Sequence, residues 1–278
     1  MAALDELVRY DSRHVVVTGC ASGIGARVAA QLSALGARVT GLDLRDPGPD
    51  STTTDFVSVD LADEASVAAA ADAVHGEVDA LFNVAGVSSG IGDPLLVMRI
   101  NFLGMRQFTE TLLARMPDGA SVTNVSSLAA SGYRDNAHTT AGLLDTTSVD
   151  DGLRWCADHP DALADGGYRQ SKEAIILYGM RKAVELGPRG IRVNCSAPGV
   201  TETPILDQLR SRYGQQYLDS FTAPLGRVST AEEQAAVLVF LGSRAAGYIT
   251  GQVVWADGGI SAQRLVTTNT GSEATQRS

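Results

Sequence analysis

Short runs of β-branched residues alternate with longer Ala- and Leu-rich stretches along most of this chain, and that alternation constrains its fold more than any other feature. Arg13 to Thr18 reads as a buried strand, and Gly23 to Leu35 as a helix closed by Gly36. Arg38 to Asp43 and Phe56 to Val59 read as strands, Asp63 to His75 as a helix and Val78 to Val84 as a strand. One long helix is expected from Leu95 to Met116, followed by a strand from Ala120 to Val125. A helix from Tyr168 to Leu186, a strand from Ile191 to Cys195, a helix from Ala231 to Leu241 and a short strand from Gln252 to Trp255 complete the pattern. Strands that are apolar throughout are buried on both faces. With helices between them, they imply an α/β fold with a doubly wound parallel sheet. The 278 residues carry no internal repeat and no Pro/Ser-rich linker, so one domain is expected over 1–278.

Two segments break the rhythm. Residues 131–167 hold seven aspartates against two arginines and no clear strand, too long a stretch for an ordinary loop. The segment should be functional, partly helical or mobile. The end of the chain, 264–278, is polar and reads as a flexible tail.

Composition narrows the function classes. With 44% hydrophobic and 19% charged residues, the chain is of the soluble globular type. Net charge is −10, which repels polyanions and argues against nucleic acid or an anionic membrane surface as a partner. No apolar run approaches the roughly 18 residues of a membrane span, and no secretory signal is read at the N-terminus. Cys20, Cys156 and Cys195 lack disulfide or metal spacing, as expected of a chain in a reducing cytoplasm. No His/Asp/Glu cluster has zinc spacing, so no metal is expected.

The turn after the first strand, Thr18-Gly19-Cys20-Ala21-Ser22-Gly23-Ile24-Gly25, holds three glycines where a helix begins. Without side chains there, backbone can approach a pyrophosphate, and the helix start offers unpaired N–H groups and a partial positive charge. Gly19, Ser22, Gly23, Ile24 and Gly25 are therefore candidate cofactor residues, although a bare βα turn would use the same glycines. Asp43 ends the second strand, where a carboxylate accepts the hydrogen bonds of a ribose diol and repels a 2′-phosphate. That favours NAD over NADP, with nearby Arg45 able to soften the preference. Tyr168 and Lys172 lie at i and i+4, one above the other on a helix face. A phenol with a pKa near 10 is a poor base at neutral pH, and an adjacent ammonium lowers that barrier.

With these pieces in place, the sequence resembles the classical short-chain dehydrogenase/reductases. The matching stretches are Thr18 to Gly25, Asp60-Leu61, Asn83-Val84-Ala85-Gly86, Asn101, Asn124-Val125-Ser126-Ser127, Tyr168 with Lys172, and Pro198-Gly199 through Thr203. Val84 departs from the family, which usually has a second Asn there. The resemblance implies a single-domain Rossmann-type enzyme that binds NAD and transfers hydride between an alcohol and a carbonyl. By the same resemblance, Tyr168 is the general acid/base and Lys172 its pKa-lowering partner. Ser127, rather than the competing Ser126, binds the substrate oxygen, and Asn101 anchors a water that links Lys172 to solvent. Asp60 and Leu61 would flank adenine, and Asn83, Ala85 and Gly86 would line the cofactor. Pro198, Gly199, Val200 and Thr203 would complete its site, with Thr203 holding the carboxamide.

The long stretch between Ser127 and Tyr168 resembles the insertion of the bacterial 3α-hydroxysteroid dehydrogenase/carbonyl reductase subgroup. Coniferyl-alcohol dehydrogenases look similar too. That resemblance implies an apolar secondary alcohol or ketone, steroid-like or aromatic, as substrate, with a primary aryl alcohol as the alternative. A non-catalytic NAD-binding regulator is a third reading. The insertion in that subgroup covers a face others use for tetramers, so a homodimer is implied, with a tetramer as the alternative; the insertion could also lid the pocket. Ile205, Leu206, Leu209, Tyr213, Tyr217 and Phe221 have apolar helical spacing, which suits either a satellite core or, from its place after the cofactor loop, a substrate wall that Trp155 could join. His14 is expected to pack in the core, and His138 and His159 to have no chemical role.

Overall fold

The computed structural model describes residues 3–214, 216 and 221–274. Seven parallel strands form one sheet: β1 His14–Thr18, β2 Arg38–Asp43, β3 Asp55–Ser58, β4 Ala80–Asn83, β5 Ser121–Val125, β6 Arg192–Pro198 and β7 Val253–Ala256. Their order is β3-β2-β1-β4-β5-β6-β7, so the winding reverses between β1 and β4. That reversal opens a crevice beyond the carboxyl ends of the strands, where ligands bind in sheets of this kind.

The central strands are buried on both faces, and successive residues point to opposite sides. Val15 and Val17 of β1 pack in one layer with Val28, Ala29 and Leu32 of α2 (Gly23–Ala34) and Leu238 of α10 (Ala231–Gly242). Val16 packs in the other, with α3 (Glu64–Ala73), α5 (Met105–Leu112) and the end of α8 (Tyr168–Leu186), through Val67, Phe108, Leu112 and Leu186. Burying each such Leu or Phe contributes about 1.5–3 kcal/mol. Among the described residues the remaining helices are α1 (Leu4–Val8), α4 (Pro94–Met98), α6 (Ala137–Leu144), α7 (Val149–Asp158), α9 (Pro204–Tyr213) and α11 (Ile260–Ala274).

The structure adds to the sequence reading at three places. The single helix expected over 95–116 is interrupted by a π-helical turn, Arg99–Gly104, between α4 and α5. Gly104 lies so close to the backbone that a Cβ there would sit 2.0 Å from the Leu61 carbonyl oxygen. The extra residue of a π turn re-aims the side chains that follow it, and such turns recur at functional sites.

The 131–167 insertion is packed, with two helices and a 3₁₀ turn. Leu143, Val149, Cys156 and Leu163 bury against Phe102, Leu103, Ile175 and Tyr178, while Asp145, Asp150 and Asp158 face solvent. Arg106, itself buried, donates to the Thr146 carbonyl (3.0 Å), the Thr146 hydroxyl (3.1 Å) and the Ser148 carbonyl (3.1 Å) where α6 passes into α7. Asn136 donates to the fully buried carboxylate of Glu173 at 2.8 Å.

Of the tail expected over 264–278, the residues through Ala274 are helical, and 275–278 lie outside the described residues. Asp257 starts α11, accepting from the Gly259 N–H at 2.9 Å and the Ser261 N–H at 2.7 Å. Among the described residues no helix is long and apolar enough to cross a membrane.

Candidate active site

A cavity of about 450 Å³ lies at the winding reversal. Its floor is the glycine turn. Gly19 has φ +77, and a Cβ there would lie 2.8 Å from the Ala85 nitrogen; one at Gly25 would lie 2.0 Å from the Gly19 carbonyl oxygen. Glycine is required at both because backbone passes backbone. Ser22 begins α2 without a side-chain cap, so no side chain covers the first N–H groups of the helix. Gly19, Ser22, Gly23, Ile24 and Gly25 all line the cavity. An uncapped helix start beside a glycine-bearing turn fits a diphosphate.

At one end of the cavity stands Asp43. Its carboxylate accepts from the Ala21 N–H at 3.0 Å and the Arg45 N–H at 3.1 Å, one on each oxygen. Each oxygen keeps a further lone pair for a ribose hydroxyl. Asp60 and Leu61 line the same end, with Asp60 accepting from the Ala62 N–H at 2.8 Å. Ala85, Gly86, Pro198, Gly199, Val200 and Thr203 line the middle, as does Val84.

Asn83, expected to line the cofactor, does not reach the cavity. It points with Leu81 toward α5, the face opposite Phe82, and donates to Thr109 Oγ1 at 2.9 Å and Asn124 Oδ1 at 2.8 Å. It braces β4 to β5. Asn101, in the π turn, also sits behind the wall. It accepts from the Val87 N–H at 2.8 Å and donates to the Val87 carbonyl at 2.9 Å and to Ser171 Oγ at 3.2 Å. A Cβ on Gly86 would lie 3.1 Å from Asn101 Oδ1 and 3.4 Å from Lys172 Nζ, so a side chain there would crowd both.

The end of β5 sorts the two serines. Ser126 is buried and donates to the Lys172 carbonyl at 2.8 Å, which ties β5 to α8. Ser127 caps the short turn after β5, accepting from the Ala129 N–H at 3.2 Å, and lines the cavity with its O–H as donor. Tyr168 is the first residue of α8, half-buried on the cavity wall. Lys172 Nζ lies 5.6 Å from the centre of its ring and donates to the Val125 carbonyl at 3.0 Å. Burial pushes the Lys172 ammonium down from 10.5 to about 8. At neutral pH the ammonium is therefore mostly charged, but it can release its proton within one pH unit of neutrality.

Apolar side chains form much of the remaining wall, among them Leu128, Ile205, Leu206, Leu209 and Phe221. Tyr213 stands outside it, its hydroxyl 3.2 Å from Ser89 Oγ, and Tyr217 lies outside the described residues. The wall segment is rooted in a bridge between Thr201 and Ser229. Their hydroxyls are 2.8 Å apart, and buried Gln234 donates to Ser229 Oγ at 2.9 Å. Trp155 does not join the wall. It stacks on His159 with centroids 4.3 Å apart and packs on the insertion's own core. No residue of 131–167 lines the cavity. His14 is buried, with its ring nitrogens 2.8 Å from the Glu77 carbonyl and from Thr40 Oγ1. Among the described residues there is no metal-ligand cluster. The sequence reading missed Arg264, which α11 brings to the cavity. Ile260, one turn earlier and buried, was the available signal for that helix.

The family model for short chain dehydrogenases matches residues 13–139, and the model described as enoyl-(acyl carrier protein) reductase matches 162–261. The chain is 34% identical over 256 residues to a coniferyl-alcohol dehydrogenase of Pseudomonas sp., covering 91% of this chain and 98% of the relative. It is 30% identical over 255 residues to a 3-alpha-hydroxysteroid dehydrogenase/carbonyl reductase of Comamonas testosteroni, covering 89% and 96%. Among solved structures, a 3-alpha-hydroxysteroid dehydrogenase from Pseudomonas sp. B-0831, complexed with NADH, superposes with a TM-score of 0.76. That pair is 30% identical, with 90% of this chain and 98% of the other covered.

Proposed function

The chain belongs to the short-chain dehydrogenase/reductase family and is an oxidoreductase, and from that premise we propose that it interconverts a secondary alcohol and a ketone on a mostly apolar, steroid-like or aromatic substrate with NAD(H). The observation that carries this reading is the convergence of Ser127, Tyr168 and Lys172 on one cavity whose far end is Asp43.

The glycine turn and the start of α2 would hold the diphosphate, and Asp43 would take the ribose diol, its charge opposing a 2′-phosphate. Asp60 and Leu61 would flank the adenine, and Thr203, with Pro198, Gly199 and Val200, would hold the carboxamide end; all of them line the cavity. When bound, NAD(H) supplies or accepts the hydride. Ser127 donates to the substrate oxygen and fixes its direction. In reduction the Tyr168 hydroxyl gives that oxygen a proton as charge develops on it; in oxidation the Tyr168 phenolate removes the hydroxyl proton. Lys172, charged and shielded from water, favours the phenolate and is itself oriented by the Val125 carbonyl. Asn101 clamps Val87 and so fixes the wall beside Gly86.

Replacing Tyr168 with Phe tests the reading. Turnover should fall by roughly 10²–10⁴-fold, with NADH still binding, as followed by quenching of protein fluorescence. Turnover at the normal rate would remove Tyr168 from its role. The primary aryl-alcohol alternative is favoured by similarity to the coniferyl-alcohol dehydrogenase. A panel pairing aryl-methanols with cyclic secondary alcohols decides between them, and silence toward every member would revive the regulator reading.

We read the assembly as a homodimer in the cytoplasm. The face of α8 that carries Ile175 and Tyr178 is already covered by the insertion, and all three cysteines are free and buried.

A further inference from the structure

Tyr168 and Lys172 form one stripe of α8, and the stripe beside it, Arg169 and Glu173, is charged as well. The Glu173 carboxylate is fully buried. Asn136 Nδ2 donates to its Oε1 at 2.8 Å, and Arg169 Nη1 donates to its Oε2 at 3.2 Å. Arg169 reaches two further acceptors, the Ala162 carbonyl at 3.4 Å and the Asp165 carboxylate, 3.7 Å from its Nε. Asn136 stands near the beginning of the insertion, Ala162 and Asp165 near its end. The Glu173–Arg169 pair therefore gathers both ends of residues 131–167 onto the helix that carries Tyr168.

Those ends lead directly to the reacting groups. From Ser127 a series of turns runs to Asn136: the N–H groups of Ala130, Tyr133 and Asn136 donate to the carbonyls of Ser127, Ala130 and Gly132 at 2.9, 3.0 and 3.1 Å. A Cβ on Gly132 would lie 3.5 Å from both Asn136 Nδ2 and Glu173 Oε1. At the other end Gly166 and Gly167 have φ +85 and +76, and Gly167 has no side chain with which to cap α8. The first turn is held by Asp165, whose carboxylate accepts the Arg169 N–H at 3.0 Å. The residue next to Tyr168 is thus fixed through backbone and side chain together. A buried ion pair adds little stability over apolar side chains of the same volume, but leaving one member without its partner is costly, so these groups tolerate few arrangements.

We infer that Glu173 is a positioning residue: through Arg169, Asp165 and Asn136 it sets the place of Tyr168 relative to Ser127, and by it the insertion serves catalysis. Glu173 does not line the cavity and acts through the turn that carries the phenol. The inference rests on the oxidoreductase reading above and adds to it a residue outside the cavity.

Glu173→Gln keeps the shape and the acceptor for Asn136 but turns an amide N–H toward Arg169. With the alcohol of the panel that turns over fastest, kcat should fall roughly 10- to 100-fold, while the KM for NAD and the NADH affinity read by fluorescence quenching stay at the parent values. Arg169→Gln should show the same loss. The double variant pairs two amides and should lose less than the product of the single losses. Arg106→Met, which loosens the insertion where α6 meets α7, should leave kcat where it was. Amide exchange over 165–171, followed by mass spectrometry, needs no substrate: it should quicken in Glu173→Gln and Arg169→Gln and not in Arg106→Met. A parent-level kcat in both single variants, losses that multiply in the double variant, an equal kcat loss in Arg106→Met, or unchanged exchange over 165–171 overturns the inference. A parent protein that turns over no member of the panel refutes the oxidoreductase reading instead, and exchange then decides for Glu173. Should Glu173→Gln not fold, Arg169→Gln decides by the same readouts.

Discussion

Replacing Lys172 with Met should stabilise the protein while it stops turnover. Lys172 is buried at the centre of the cavity wall, and burial lowers its ammonium from 10.5 to about 8. Each tenfold change in that equilibrium is worth about 1.4 kcal/mol, so holding the charge in the folded state costs about 3 kcal/mol at neutral pH. Losing the hydrogen bond to the Val125 carbonyl returns about 1–2 kcal/mol of that difference. The net gain in Lys172→Met is then about 1–2 kcal/mol at pH 7.

The pH window follows from the direction of the shift. Below about 8 both folded and unfolded chains hold the proton, and the full penalty is present. Between about 8 and 10.5 the unfolded chain holds a proton that the folded one has released, so stability rises with pH, by up to about 1.4 kcal/mol per pH unit. Urea unfolding of both proteins from pH 6 to 10, without cofactor, gives the difference curve. Groups common to both proteins cancel in it. The advantage of the variant should narrow as pH climbs through this window. A variant less stable than the parent at neutral pH, or a difference independent of pH, would refute the reasoning.

The two serines make a second pair. Ser127→Ala should lower kcat by roughly 10²–10³-fold, whereas Ser126→Ala should cost about 1 kcal/mol of stability and much less in rate; the reverse order would exchange their roles. Asp43→Ala should narrow the preference for NADH over NADPH, read as a ratio of kcat/KM values, and an unchanged ratio would take Asp43 out of the argument. Arg106→Met leaves the carbonyls of Thr146 and Ser148 without their partner. A loss of about 2–4 kcal/mol is expected in urea unfolding, with faster proteolytic cleavage where α6 meets α7; an undisturbed insertion would show that the clamp is dispensable.

What the sequence made legible was whatever depends on near neighbours along the chain. The strands are continuous apolar runs. The cradle is a local turn, and Tyr168 and Lys172 meet because a helix turn brings i and i+4 together. Asp43 was readable because the end of a strand fixes where its side chain emerges. Features set by distant contacts were not readable. The π turn at Asn101 arises where Gly104 passes the Leu61 carbonyl, a neighbour far away in sequence. Asn83 sits one residue before the cavity wall, and the alternation of a strand turned it toward Thr109 instead. In the insertion the aspartates concealed a seam of Val149, Leu153 and Cys156 at helical spacing. In α11 two glycines hid a helix start that Asp257 makes possible.

The Thr201–Ser229 bridge has a consequence for how such an enzyme can diversify. The peptide between them leaves and re-enters the body at two points joined by hydroxyl and backbone hydrogen bonds, and Gln234 pins that junction from beneath. Lengthening the peptide changes its closure entropy only logarithmically. Descendants of this chain can therefore rewrite the interior of that span, and with it the shape of molecule they accept, while Ser127, Tyr168 and Lys172 keep their places on strands and helices that do not feel the change.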